Sequence, residues 1–247
     1  MISLFSRGKK ASNKRAYARA IGLPLWVLIA FGAAQIIVVG VVSILRSLGI
    51  LLTEINQALL NTCIAAIVYL LTLSIALGVP WLVKKYRTTK EDLGLAKDLS
   101  WLDIGLAPAG LVIYLLISSL LVYAASFVPG FNADQLQDTG FTGMVYSYEY
   151  LVAFITLVII APLAEEIIFR GFLFGKLKRA VPVWAAMLIT SMVFGAIHGQ
   201  WNVAIDVFAL SLIMCGLREI TGSIWAGVLL HMLKNGLAFY ILFINPM

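Results

Sequence analysis

The sequence predicts an all-α fold: a polytopic transmembrane helical bundle of about seven spans, with six to eight compatible with the pattern. Three observations carry that reading. The 247 residues are 62% hydrophobic and 12% charged, with a mean hydropathy of +0.98. So few charges cannot cover a water-facing surface with polar groups. The apolar residues fall in runs near the roughly 20 residues a helix needs to cross a bilayer. None shows the strict alternation of a barrel strand, which leaves helices as the spanning form.

The chain opens with a basic arm, residues 1–20, where Arg7, Lys9, Lys10, Lys14, Arg15 and Arg19 stand without an acid. This arm accounts for the whole formal charge of +6. Beside a long apolar run it fixes the N-terminus in the cytoplasm. No aromatic-interleaved basic patch follows it, so a nucleic-acid partner is not expected.

Residues 21–247 then read as one transmembrane helical domain. The first span, Ile21–Leu45, is too long for a signal-peptide core and lacks a small-x-small cleavage site, so it is expected to be retained. Gln57–Val83 and Ile104–Val128 follow, then Tyr150–Phe174 and Val181–His198 on either side of a short basic turn. Val203–Leu217 is short and interrupted by Asp206, which leaves a re-entrant sixth segment open. Ser223–Ile244 closes the series.

Alternation sorts the charges. Lys84, Lys85, Arg87, Lys90 and Lys97 fall in one inner loop, Lys176, Lys178 and Arg179 in the next, and Arg218 in the last. Arg46 alone falls outside, and the outer loop after the third span carries Asp134, Asp138 and Glu149. That bias orients the protein with its N-terminus inside. Compactness and the absence of retrieval signals favour a multi-pass protein of a prokaryotic plasma membrane. Cys63 and Cys215 sit in apolar helix and read as small buried hydrophobes, with no disulfide expected. No inverted repeat of the transporter kind is visible.

The chemistry lies in three apolar stretches. Glu165, Glu166 and Arg170 interrupt LVAFITLVIIAPLAEEIIFRGFLF, His198 ends AAMLITSMVFGAIHG, and His231 and Asn235 interrupt SIWAGVLLHMLKNGLAF. Ionisable groups at bilayer depth mark functional sites by default. Pairing about the Arg179–Pro182 turn brings Glu165 and His198 within about one helical turn in height. His231 and Asn235, spaced i, i+4, share a face and stand roughly 15–24 Å above the last inner loop, close to the depth of Glu165. Glu166 and Arg170 are i, i+4 with the acid N-terminal, the favourable order for an intrahelical pair. That assigns Glu166–Arg170 to charge compensation and orientation and leaves Glu165 free for proton transfer. Pro162 removes a backbone donor and kinks the span, opening space for water.

A carboxylate and an imidazole that share a water can deprotonate it for attack on an amide carbonyl. Glu165 with His198 suits that role, and His231 with Asn235 suits stabilisation of the oxyanion. This arrangement assigns no cofactor. The metal alternative is zinc on Glu165, His198 and His231, two imidazoles and a carboxylate forming a catalytic ligand set, although the HExxH motif is absent. Lys234 beside Asn235 reads as a side chain whose stem reaches the inner interface. Asp206 reads as an outer-interface or structural hydrogen-bonding group, and Phe194 as packing. Trp101 and Trp201 read as interface anchors.

Glu165-Glu166-x-x-x-Arg170, Phe194-x-x-x-His198 and His231-x-x-x-Asn235, in this order on three helices, resemble the CPBP intramembrane proteases. That family holds the type II CAAX prenyl endopeptidases and bacterial relatives linked to bacteriocin processing or self-immunity. GSIWAGVLLHMLKN and RTTKEDLGL add to the resemblance, which covers about residues 84–240. It implies an intramembrane endopeptidase, glutamate-type or metalloprotease, with Glu165 and His198 handling water and His231 and Asn235 on the oxyanion side. It also implies a cavity open to the cytoplasmic side and a membrane peptide or lipidated protein as substrate, prenylated or leader-bearing. Two other readings stay open: a proton-coupled membrane transporter, and a non-proteolytic scaffold or immunity protein.

Overall fold

The computed structural model describes residues 2–85, 87–135, 137 and 139–245, with side chains from residue 18 onward except Lys84. The side chains of Arg7, Lys9, Lys10, Lys14, Arg15 and Lys84, and all of Asp138, lie outside the described residues. Helix accounts for every regular element among those residues, with no strand.

Helix α1 is Ile2–Ser47, so the basic arm continues into the first span as helix, with Ala18–Ser47 as its apolar part. Helix α2 (Gln57–Val83) returns, and a short helix α3 (Lys90–Leu93) follows it. Helix α4 is Trp101–Ala125 and α5 is Ser147–Leu177. Helix α6 is Val183–Ala196, α7 is Trp201–Thr221 and α8 is Trp225–Ile244.

Five of these segments are long and apolar enough to cross a membrane: Ala18–Ser47 of α1, α2, α4, α5 and α8. This differs from the seven expected spans at two places. The fifth is cut to the 14 residues of α6, about 21 Å of helix against a hydrocarbon core of about 30 Å. Pro182 caps its start, and the chain turns at its end through Gly199, whose φ of +71° suits a glycine. The sixth is longer than expected: α7 runs unbroken for 21 residues, so Asp206 does not interrupt the helix. Its carboxylate is satisfied by Tyr114, Ser118 and Lys234, which offsets the cost of placing it in an apolar helix.

The two ends of the bundle separate as alternation requires. At one end Arg179 Nη1 meets Asp92 Oδ1 at 2.6 Å and Lys178 Nζ meets Glu219 Oε2 at 2.6 Å. Lys97 Nζ donates to the Thr221 carbonyl there at 2.8 Å. At the other end Asn56 Nδ2 donates to Tyr148 and Glu149, and Asn202 Nδ2 to the carbonyls of Ala133 and Gln135. Trp101 and Trp201 are both well exposed. Cys215 is buried, but Cys63 faces outward on α2, so only one of the two is a core residue.

Helix α5 is the hub. Phe169, Leu173, Phe174 and Leu177 are all fully enclosed. Gly171 and Gly175 let α3 dock against it: a Cβ there would stand 2.8 Å from the Leu93 carbonyl oxygen and 2.7 Å from that of Asp92. The Thr89–Asp92 capping box starts α3, and Gly94 (φ +71°) ends it under the Arg218 guanidinium. The RTTKEDLGL segment is thus a built plug at the basic end of the hub helix.

Candidate active site

Helix α5 does not run as a uniform α-helix past its acids. A π-helical stretch, Ile155–Ile160, precedes Ala161–Glu166, and another, Ile167–Phe174, follows it. Pro162 stands at the first turn of the intervening segment, where its missing N–H and its ring demand a wider turn. The distortion expected from Pro162 coincides with the π stretch before it, and the two π stretches together bracket Glu165 and Glu166.

Glu166 is fully buried, and its Oε1 accepts from Arg170 Nη1 at 2.8 Å, also fully buried. His231 Nδ1 approaches the same Oε1 at 3.2 Å. Helix α8 reaches Glu166 because position 227 is glycine: a Cβ there would stand 2.9 Å from Glu166 Oε2. The other ring nitrogen of His231, Nε2, faces Glu165 Oε2 at 3.8 Å. One imidazole therefore stands between the two glutamates.

Glu165 is not without a partner. Its Oε1 accepts from the Tyr69 hydroxyl at 2.5 Å. Tyr69 lies on α2, outside the stretch that carries the motifs, and nothing in its apolar surroundings marks it except the hydroxyl itself.

His198 sits in the turn just after α6. Its Nδ1 is 2.7 Å from the Phe194 carbonyl oxygen. A carbonyl only accepts, so Nδ1 carries a proton and Nε2 holds the lone pair of the neutral ring. Phe194 does more than pack. Its ring meets His198 and His231 edge-on, with centroids 5.0 and 5.9 Å away, and the Arg170 guanidinium lies 4.3 Å from its centroid. The F-x-x-x-H spacing carries this signal, since a side chain at i+4 sits over the carbonyl of residue i.

Asn235 Nδ2 donates to the Leu157 carbonyl at 2.9 Å, on the π stretch of α5. Lys234 does not reach the inner interface: its Nζ pairs with Asp206 Oδ2 at 3.3 Å. Asp206 Oδ1 in turn accepts from Tyr114 at 2.5 Å and Ser118 at 2.6 Å. Both residues belong to a network across α4, α7 and α8.

Glu165, His198, His231 and Asn235 line one cavity of about 340 Å³, together with Tyr69 and Lys234. Phe31 and Gln35 of α1 also wall it, so the first two helices contribute to the cavity. Gln137, Thr139 and Phe243 also belong to the wall. These lie toward the end opposite the basic loops, which differs from the cytoplasmic opening implied by the resemblance. Glu166 and Arg170 stand behind the wall.

Zinc fits this arrangement poorly. Among the described residues no three His, Cys, Asp or Glu side chains are grouped as a metal site. Of the set Glu165, His198 and His231, the last has both ring nitrogens turned to carboxylates, and Glu165 Oε1 is held by Tyr69.

Part of the chain is similar to known proteins. Residues 147–237 match the family model of the Rce1-like type II CAAX prenyl endopeptidases. A protein of Bacillus subtilis (strain 168) named as a membrane peptidase, YdiL, is 27% identical over 139 residues, which cover 56% of each chain. An uncharacterized 24.3 kDa protein of Escherichia coli is 28% identical over 137 residues, 53% of this chain and 58% of that one. The membrane-embedded CAAX protease MroQ of Staphylococcus aureus (strain USA300) is 29% identical over 94 residues, 36% of this chain and 38% of that one. The chain thus matches little more than half the length of the first two relatives. No solved structure matches it significantly.

Proposed function

We propose that this chain, whose residues 147–237 match the Rce1-like type II CAAX prenyl endopeptidases, is an intramembrane endopeptidase acting on a membrane-associated peptide or lipidated protein. The observation that carries the reading is the single cavity shared by Glu165, His198, His231 and Asn235.

In this reading a water sits between Glu165 and the Nε2 lone pair of His198. Glu165 takes its proton as the oxygen attacks the scissile carbonyl carbon. The Tyr69 hydroxyl holds Oε1, so the proton goes to Oε2. The carbonyl π pair moves to oxygen, and the oxyanion meets two donors. His231 donates through Nε2 as the imidazolium, with Nδ1–H anchored on Glu166. Asn235 has two N–H bonds: one is fixed on Leu157, and the other supplies the second donor. Each such donor is worth about 3–4 kcal/mol in studied enzymes. Collapse breaks the C–N bond, and the proton on Glu165 passes to the leaving amine. No step passes through a metal.

The test uses the full chain in liposomes with prenylated and unprenylated peptides, and mass spectrometry to read cleavage. Glu165→Gln and His198→Asn should each abolish hydrolysis while leaving insertion and helicity intact. Retained cleavage in both variants would overturn the assignment. Proton-coupled flux without any cleavage would make the protein a transporter instead.

A further inference from the structure

Gln35 is the only hydrophilic side chain on α1 between Arg19 and Ser43. A carboxamide at bilayer depth costs free energy unless water or a hydrogen-bonding partner receives it. Its place on the helix decides between these. Val27, Ala30, Ala34 and Val38 are the buried stripe by which α1 docks on the bundle. Phe31 and Gln35 stand one residue on from Ala30 and Ala34, about 100° around the helix. Both wall the cavity, and Gln35 is exposed there.

The other polar side chains that α2, α5, α8 and the turn after α6 bring to the cavity are engaged within the protein. Tyr69 holds Glu165, His198 holds the Phe194 carbonyl and His231 faces Glu166. Asn235 holds the Leu157 carbonyl and Lys234 pairs with Asp206. Gln35 makes no hydrogen bond among the described residues. A bond between helices, the ordinary use of glutamine in a membrane bundle, is therefore not its role.

Gln35 also stands close to the reacting groups. The Phe31 ring meets that of Tyr69 edge-on at 6.4 Å, and the Tyr69 hydroxyl reaches Glu165. Gln35 lies one turn farther from the basic end than Phe31, about 6 Å along α1. An extended peptide covers that rise in about two residues.

We propose that Gln35 binds the main chain of an extended peptide substrate about two residues from the scissile bond. Its Oε1 accepts a peptide N–H and its Nε2 donates to a peptide carbonyl. This inference rests on the peptidase reading above. A carboxamide sets an acceptor beside its donors, the complement of a peptide unit, and a hydrocarbon tail offers it nothing. Main-chain groups recur at every residue, so the contact holds the register of the peptide without reading its side chains.

The test compares wild type with Gln35→Leu, each as the full chain in liposomes. The probe is a prenylated peptide and a series in which each amide in turn is an ester, which lacks the N–H. Wild type should lose about tenfold in kcat/KM with one ester, placed about two residues from the cleaved bond. Gln35→Leu should lose about tenfold with the all-amide peptide, through KM with kcat kept, and should be indifferent to that one ester. Its thermal midpoint should not fall, because no contact within the protein is removed. An unchanged KM would overturn the proposal. So would a lowered midpoint with ester losses equal to those of wild type, which marks a packing residue. Binding of the same peptides to Glu165→Gln, read by fluorescence anisotropy without turnover, separates this contact from the peptidase reading. If wild type cleaves nothing, yet adding Gln35→Leu weakens binding about tenfold, the peptidase reading fails and the contact stands. Binding indifferent to Gln35 while wild type cleaves would overturn the contact alone.

Discussion

The Tyr69 hydroxyl donates to Glu165 Oε1 across 2.5 Å, joining α2 to the glutamate at the cavity wall. A hydrogen bond to a charged group contributes about 1.5–3 kcal/mol, or roughly ten- to a hundredfold in rate if it acts on the chemical step. Tyr69→Phe keeps the ring, which meets Phe31 edge-on at 6.4 Å, and removes only the hydroxyl. The expected outcome is a loss of about tenfold or more in kcat, little change in KM, and an unchanged thermal midpoint. A variant as active as wild type would show that Glu165 positions itself.

The depth at which the polar groups meet was legible from residue counts alone. Glu165 and His198 stand near one height because a short turn joins their helices, and His231 and Asn235 share a face because they are i, i+4. What counting could not supply was the partner of each group. Tyr69 approaches the site from a helix distant in sequence, and Asp206 finds its hydroxyl partners on another, where only packing decides which face turns inward. The failure at α7 has the same root. Asp206 reads as a break because the charges and hydroxyls that satisfy it lie on α4 and α8. The π turns of α5 were legible only as a proline that had to distort something.

Arg170 and Glu166 form a pair from which water is wholly excluded. Removing one partner of such a pair leaves an uncompensated charge and costs about 3–5 kcal/mol, whereas replacing both with apolar groups is often neutral. Arg170→Met should therefore lower the thermal midpoint sharply, and Arg170→Met with Glu166→Leu should regain much of it. Activity should not return with stability, because His231 Nδ1 would have lost its acceptor. Calorimetry and cleavage assays on the same two preparations separate the effects.

Docking of α3 on α5 depends on two missing side chains. Gly171→Ala and Gly175→Ala would force a Cβ to within 2.8 and 2.7 Å of backbone oxygens, and each should destabilise the protein. Gly105 on α4 has nothing within 4 Å of its Cβ position. Gly105→Ala should be neutral or stabilising by up to about 1 kcal/mol, the ordinary helix gain. Thermal midpoints of the three variants check this, and equal effects at all three sites would refute the docking argument.

The same plug gives the protein an acid-sensitive element. Burial alone would raise the Asp92 carboxyl, but the Thr89 N–H and the Arg179 guanidinium outweigh it and hold the group below the usual carboxylate range. A carboxyl lowered in the folded state contributes stability that is fully present above its unfolded pKa. That contribution is lost as pH falls through the folded value. Wild type should thus lose stability on acidification more steeply than Asp92→Asn, which carries no titrating group there. The difference between the two midpoints should shrink toward low pH, and a constant gap across the titration would rule the effect out.

Lys234 and Asp206 make a charge-balanced brace beside the proposed oxyanion donors, with Nζ and Oδ2 at 3.3 Å. The mechanism proposed here needs an imidazolium at His231, and an unbalanced ammonium three residues along the same helix would repel it. Asp206→Asn keeps the hydrogen-bond acceptor for Tyr114 and Ser118 but strands that ammonium at the cavity wall. Its kcat should fall by about tenfold, an order set by roughly 1.4 kcal/mol of repulsion. Lys234→Met in the same chain removes the stranded charge, so the double variant should recover most of the loss. The sign of the coupling decides the matter, because contacts in one network are not additive. Two losses that simply multiply would mean the pair serves packing and leaves the field at His231 unchanged.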